Sequence, residues 1–456
     1  MKGMFKMKSW VHESIFYHIY PLGFCEAPIS NDSEIQIVNR IEKIKQWIPH
    51  MKSLGINAIY LGPVFESNTH GYDTTDYYKI DKRLGSNEDF KALCKSLHEN
   101  GIRIVLDGVF NHVGRNFFAF KDIIKNDQNS KYRNWFSNIN FNLKSPYKDN
   151  FSYDTWEGHY ELVKLNLKNP EVKEHLFKAV SYWIETFNID GLRLDAANCL
   201  DINFLKELSV YCKNKKEDFW LMGEVIHGDY NIWANENMLD SITNYECYKG
   251  IYSSLNDKNY FEINYSLNRQ FGEHGIYKNL NLYNFIDNHD VTRISSILNN
   301  PNHIYLAYTM LFTMPGVPSL YYGSEYGIKG KKCGNSDLAL RPSLDEIKNQ
   351  TLNEKLFDLI TQLSKIRTFS SSLKFGIYKE VVIKNEQIVF ARIYNKETIL
   401  VVLNLSDNQI ASFKFNIPNY GTYLLDLLDN NKNYTLVNGT ITLNLEPYCK
   451  KILKVL

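Results

Sequence analysis

The stretch Ile189-Asp190-Gly191-Leu192-Arg193-Leu194-Asp195-Ala196-Ala197-Asn198 decides the architecture. It reads as a buried strand, yet Arg193 and Asp195 stand two positions apart. The period of two turns both side chains to one face. Gly191 relieves crowding just before them. A buried charge is costly unless it is paired or used. An ion pair that offsets its own desolvation is the plain structural reading. The other reading rests on position, because barrel enzymes carry their chemistry at the C-terminal ends of the strands.

On either side of this strand, apolar runs alternate with amphipathic segments. Residues 15–20, 57–61, 102–107, 189–195, 219–222, 241–243, 282–286 and 317–322 read as eight strands. Helical spacing predicts helices over 39–54, 87–99, 170–187, 202–213, 301–313 and 356–366. The expected fold is an α/β (β/α)8 TIM barrel formed by residues 1–110 and 165–370, with a doubly wound sheet as the structural alternative. Residues 111–164 are rich in Asn, Lys and aromatics and break the rhythm. They read as an inserted subdomain after the third strand. Beyond Ser370 short strands at 381–383, 388–393, 399–403, 413–415 and 440–443 alternate with polar turns. They predict that residues 371–456 form a C-terminal antiparallel β-sandwich domain.

Composition narrows the function. Lys+Arg 52 against Asp+Glu 51 leaves a formal net charge of +1, which offers no electrostatic case for nucleic acid or an anionic membrane. The 31 tyrosines supply either core filling or flat surfaces for stacking sugars. Seven cysteines without CxxC spacing predict reduced thiols in a cytoplasmic protein rather than disulfides or a zinc site. The basic opening residues lack an apolar run, so no signal peptide is expected, and no segment has the length and apolarity of a membrane span.

The strand ends assemble a set. The second strand leads into His70-Gly71-Tyr72-Asp73, and the third ends Asp107-Gly-Val-Phe-Asn111-His112. The fourth ends Arg193-Leu-Asp195, the fifth Gly223-Glu224, and the seventh Asp287-Asn288-His289-Asp290. Taken singly, Asp107 reads as a cap and His112 as a satisfied core polar group. Together they do not read as solvated surface. Carboxylates without zinc spacing, a GxSxG elbow or a phosphate loop point to glycoside hydrolysis, in which one carboxylate attacks and another donates a proton.

These residues resemble the α-amylase family, glycoside hydrolase family 13. Four of its motifs stand in order: Asp107-Gly-Val-Phe-Asn-His112, Gly191-Leu-Arg-Leu-Asp-Ala196, Gly223-Glu224 and Phe285-Ile-Asp-Asn-His-Asp290. The resemblance implies that Asp195 is the nucleophile, Glu224 the acid and then base, and Asp290 the group that binds sugar hydroxyls and favours the distorted ring. It implies that Arg193 keeps Asp195 ionised, that His112 and His289 bond the same sugar, that Tyr72 stacks on it and that Asp107 supports the site. It also implies retention of configuration, with the Asp195 and Glu224 carboxyls about 5–5.5 Å apart. In the 323–350 loop, Asp337 and Arg341 are expected to reach sugar, with solvated loop charge as the plainer reading.

The subclass follows from finer features. Secreted members carry Lys-His where this chain has Asn198 and Cys199. That histidine helps hold a structural calcium, which leaves Asn111 as the expected oxygen ligand, together with Asp122, Asp127, Asp149 or Asp154 of the insert. The chemistry itself requires no cofactor. Ala196 resembles the α-1,4-acting members. Val163-Lys164-Leu165-Asn166 and Asn68-Thr-His-Gly-Tyr-Asp-Thr-Thr-Asp76 resemble the neopullulanases and cyclomaltodextrinases, although the first strand begins at Ile15, without room for their N-terminal dimerisation domain. The expected activity is cleavage of α-1,4 bonds in maltooligosaccharides or cyclodextrins. A transglycosylase or isomerase, an α-1,6-glucosidase and a non-catalytic sugar-binding member are the alternatives.

Overall fold

The computed structural model describes residues 9–32, 34–334, 336–418, 421–430 and 432–456. The opening residues 1–8, where no signal peptide is expected, lie outside them. Eight strands run parallel: β1 Phe16–Ile19, β2 Ala58–Leu61, β3 Arg103–Gly108, β4 Gly191–Leu194, β5 Trp220–Gly223, β6 Ser241–Ile242, β7 Tyr283–Asn284 and β8 Val317–Tyr321. Their order is β6-β5-β4-β3-β2-β1-β8-β7. A parallel bridge between Thr243 and Tyr283 joins the two ends and closes the barrel. This excludes the doubly wound sheet.

Period two sorts the side chains. Phe16, Tyr60, Val105, Trp220, Met222, Tyr283, Phe285 and Val317 fill the barrel interior. Leu192 and Leu194 instead join the larger core beneath the helices, so Gly191, Arg193 and Asp195 face inward. A Cβ at Gly191 would lie 2.5 Å from the Trp220 carbonyl oxygen, so the glycine is required by the neighbouring strand.

Local chemistry sets the helices. Helix Pro170–Phe187 starts on Asn169, whose side chain accepts from the Glu171 amide, and stops at left-handed Asn188. The helix expected over 39–54 is instead two, Glu42–Gln46 and Ile48–Ser53, because Pro49 has no amide hydrogen to continue the ladder. Two further helices, Tyr245–Asn256 and Phe261–Phe271, occupy a segment rich in Tyr, Asn and Ser that carries no clear helical signal.

Between β3 and helix Pro170–Phe187 the chain builds a three-stranded antiparallel sheet from His112–Gly114, Thr155–Trp156 and His159–Lys164. The C-terminal part is a six-stranded antiparallel sheet faced by the pair Ile410–Asn416 and Ile/Thr-rich Thr440–Leu445. Three of its strands, Tyr423–Asp426, Lys432–Thr435 and Lys450–Val455, escape the sequence pattern. Ile388 and Phe390 join the barrel-side core, whereas Val389 and Ala391 face the second sheet. Burial on both faces is why these strands read as unbroken apolar runs.

Candidate active site

Arg193 is the centre of the site. In register it lies beside Asp107 on β3 and Met222 on β5. Its Nη1 donates to both oxygens of Asp107 at 2.8 Å and to Asp195 Oδ1 at 3.0 Å. Its Nη2 lies 2.7 Å from Glu224 Oε2. One buried guanidinium thus serves three carboxylates from three adjacent strand ends. The ion pair and the functional set are the same atoms.

The backbone aims each acid. After Asp195 the chain turns through Ala196 at φ 44° and ψ 47°, a left-handed conformation that costs a non-glycine residue about 1–2 kcal/mol. The turn points the Ala196 amide at Glu224 Oε2, 3.3 Å away. Before Glu224, a Cβ at Gly223 would meet Leu239 at 2.5 Å and Ala197 at 2.8 Å. Past β7, Asn288 Oδ1 accepts from the amides of Asp290 (2.8 Å) and Val291 (3.1 Å) and so sets the turn that presents Asp290. Asp287 of the same motif is structural, accepting from the Ile294 amide and Ser324 Oγ.

A second layer holds Asp290. His289 Nε2 lies 2.9 Å from Asp290 Oδ2 and also meets the Tyr72 hydroxyl. The Tyr72 hydroxyl in turn reaches Asp107 Oδ2 at 3.1 Å. Tyr20, His289 and Tyr72 stack nearly parallel, at interplanar angles of 7° and 8°. Arg341 caps that stack, 4.5 Å from the Tyr20 ring centroid. It pairs with Asp290 Oδ1 at 2.9 Å and Asp337 at 3.0 Å. Arg341 is therefore no solvated loop charge; its side chain is 12% exposed. Lys332 joins the same cluster through Asp337 and the Asp290 carbonyl.

The electrostatics set the acids apart. Burial pushes the Asp195 carboxyl well up, and the carboxylates of Glu224, Asp107 and Asp290 push it the same way against the pull of Arg193. Arg193, shared with Asp107 and Glu224, is the cation that opposes this rise. Asp290 goes the other way. Burial pushes its carboxyl up, but His289, Arg341 and Arg193 hold it far below the usual range.

His112 stands to one side. Its ring is buried, Nδ1 lies 3.2 Å from Asn111 Nδ2, and Nε2 has no partner. Burial, then His70, lowers its pKa to about 4, so it is a neutral imidazole whose buried Nε2 lacks a partner. The calcium expectation turns on Asn111 and the acids of the insert. Asn111 Oδ1 is buried without a partner, and the 430 Å³ cavity that Asn111 lines also holds Asp154 and Asp201 beside Lys164 and Cys199. Of the insert's acids, Asp149 forms a two-point pair with Arg115 and Asp122 accepts from Ser130. Asp154 accepts from Asn138, and Asp127 accepts from Asn150. Among the described residues no three His, Cys, Asp or Glu side chains converge as a metal cage.

Three tyrosines escape the sequence pattern. Tyr60 donates to Asp107 Oδ2 at 2.7 Å, and alternation along β2 would have shown it facing inward. Tyr20 follows β1 directly. Tyr245 donates to Glu224 Oε1 at 3.2 Å, and Asn288 Nδ2 donates to the Tyr245 oxygen at 3.2 Å. Tyr245 opens the helix after β6, a strand end where nothing in the local sequence marks a functional group.

A closed (β/α)8 barrel with converging carboxylates at the ends of β3, β4, β5 and β7 is the framework of a carbohydrate-cleaving enzyme. Residues 18–368 match the family model described as the alpha amylase catalytic domain, and residues 378–452 match that of the maltogenic amylase C-terminal domain. The chain belongs to the α-amylase family, glycoside hydrolase family 13, and is a glycoside hydrolase. It is 33% identical over 437 residues to a cyclomaltodextrinase of Thermoanaerobacter pseudethanolicus, covering 90% of this chain and 73% of that one. A solved cyclomaltodextrinase superposes with a TM-score of 0.86 at 30% identity, over 98% of this chain and 78% of its own. A cyclic α-maltosyl-(1→6)-maltose hydrolase of Arthrobacter globiformis gives a TM-score of 0.82 at 27% identity, over 98% and 100%. No helix among the described residues is long and apolar enough to cross a membrane.

Proposed function

We propose that the enzyme cleaves α-1,4-glucosidic bonds in maltooligosaccharides and cyclodextrins by double displacement with retention. The observation that carries this reading is the single Arg193 guanidinium, which reaches both Asp195 and Glu224. Two acids held this way act on one bond. Asp195 attacks the anomeric carbon as Glu224 gives its proton to the departing oxygen, and the glycosidic bond breaks. Water then displaces Asp195 while Glu224 takes the water's proton. Asp290 stays ionised and accepts from the sugar hydroxyls, and His112 Nε2 and His289 bond the same ring. Tyr72 stacks on it, Asp107 holds Arg193 in place, and Asp337 and Arg341 bind the neighbouring sugar.

Neither half-reaction calls for a metal or other cofactor. The names carried by the relatives above favour cyclic and short linear α-glucans as substrates. All seven cysteines are thiols, which supports work in the reducing cytoplasm.

Incubation with maltoheptaose, β-cyclodextrin, pullulan and isomaltotriose tests the linkage. Release of glucose or maltose from the first two is expected, and release from isomaltotriose alone overturns the α-1,4 reading. Products longer than maltotriose, formed from maltotriose, would move the enzyme to the transglycosylases. Proton NMR should show the α-anomer first. An Asp195→Asn variant should lose activity on the order of 10⁴-fold or more; parental activity would overturn the mechanism.

A further inference from the structure

The two oxygens of Glu224 are held differently. Oε2 faces donors, Arg193 Nη2 at 2.7 Å and the Ala196 amide at 3.3 Å. A guanidinium and an amide N–H can only donate, so an oxygen held between them is a poor seat for a proton, whereas a hydroxyl can donate or accept. Oε1 faces the Tyr245 hydroxyl at 3.2 Å, whose oxygen accepts from Asn288 Nδ2 at 3.2 Å. The Tyr245 ring is wedged edge-on against Phe285, with centroids 4.9 Å apart, and against Tyr248. Burial, then the charges of Glu224 and Asp290, keeps its phenol protonated far above neutral pH.

We propose that Tyr245, oriented by Asn288, is the positioning residue that reserves Glu224 Oε1 for the transferable proton and stabilises the carboxylate left when that proton departs. This rests on Glu224 being the acid. When the Oε1 proton bonds to the leaving oxygen, the O–H electron pair stays on Oε1 as the sugar–oxygen bond breaks and Asp195 takes the anomeric carbon. The Tyr245 hydroxyl then donates to a charged oxygen, a stronger bond than it makes to the neutral acid. In the second half the proton of water returns to Oε1. The other groups that face Glu224 are Arg193 and Asp195 from β4 and the Cys199 thiol beyond it, with Asp290 across Tyr245.

Tyr245→Phe tests this, because phenylalanine keeps the ring packing and deletes only the hydroxyl. On maltotriose, whose leaving group needs a proton, kcat should fall roughly 10- to 100-fold, the worth of a hydrogen bond to a charged group. KM should move little. The alkaline limb of the pH profile should shift upward, because an acid whose carboxylate has lost a donor releases its proton at higher pH. On α-maltosyl fluoride, whose leaving group departs without a proton, kcat/KM should stay near the parent's. Equal losses on both substrates would mean a merely structural role and overturn the proposal, as would parental kcat and pH limb on maltotriose. Glu224→Gln is the control. If it still hydrolyses maltotriose, the assignment of Glu224 itself fails; if it is inactive while Tyr245→Phe is unaffected, only the positioning role fails.

Discussion

Arg341 Nη2 lies 2.9 Å from Asp290 Oδ1, and its Nε donates to the His289 carbonyl at 3.0 Å. One side chain from the loop after β8 therefore grips both the last acid of the site and the backbone that carries it. Asp290 sits low because His289 and Arg341 outweigh its burial. Arg341→Ala removes part of that pull, so the Asp290 carboxyl rises and needs a higher pH to ionise. Asp290 starts so far down that this rise leaves it ionised across the working range, so kcat/KM on maltoheptaose should fall on the order of 10-fold at every pH from lost positioning. Parental kcat/KM in Arg341→Ala would refute the grip.

Ala196 offers a test of stored backbone strain. Glycine at this left-handed position relieves the strain but adds unfolded-state freedom, so Ala196→Gly should change stability by less than about 1 kcal/mol and keep most activity. A β-branched residue fits that conformation worst. Ala196→Val should cost about 1–3 kcal/mol and lower kcat by shifting the amide that holds Glu224. Thermal melts and initial rates on maltoheptaose check both.

Acid should loosen the fold through histidines buried without charge. His175 sits among Tyr77, Tyr78, Phe117, Phe118 and Trp135, with Nε2 unpartnered. Burial lowers its pKa, as it lowers that of His112 to about 4. The native state therefore excludes protons that the unfolded chain takes up near pH 6.5. Stability should be full above about pH 6.5 and decline steadily toward pH 4. The urea midpoint followed from pH 7 to 4 should fall less steeply in His175→Phe than in the parent; parallel curves would exclude His175 as a contributor.

The far end of the barrel carries a different kind of charge. Arg392, on strand Gln387–Tyr394, donates to the carbonyls of Thr313 and Gly376 at 2.7 and 2.8 Å. Arg367 donates to those of Phe312, Gly316 and Leu373. Both guanidinium groups close the end of helix His303–Thr313 just before β8, where its carbonyls attract cations. Burial, reinforced for Arg392 by Arg367, lowers both pKa values. Arg392→Met should destabilise by about 1–3 kcal/mol by orphaning the Thr313 carbonyl. Calorimetry should show a lower Tm, or a C-terminal sheet melting apart from the barrel, while kcat at low temperature is unchanged.

Much of the site is legible locally. A glycine before a charged residue, a period of two and a strand end are properties of a few consecutive residues, and they mark Asp107, Arg193, Asp195, Glu224 and Asp290. The helices Tyr245–Asn256 and Phe261–Phe271 are not legible, because their stability comes from burial against neighbours rather than from helix-forming composition. Strand Lys450–Val455 is hidden for the same reason: its register against Glu397–Asn404 makes it a strand.

The sequence by itself determined the barrel, the four motifs and the inward face on which Arg193 and Asp195 lie, because alternation and strand ends are written in adjacent residues. Only the tertiary structure decided how the charge is shared. Arg193 is divided among acids from three strands, Arg341 is bound to Asp290 rather than to solvent, and Tyr245 closes on Glu224 from the end of β6. Coulomb attraction and hydrogen bonding depend on separation in space, and barrel closure sets those separations between residues far apart along the chain.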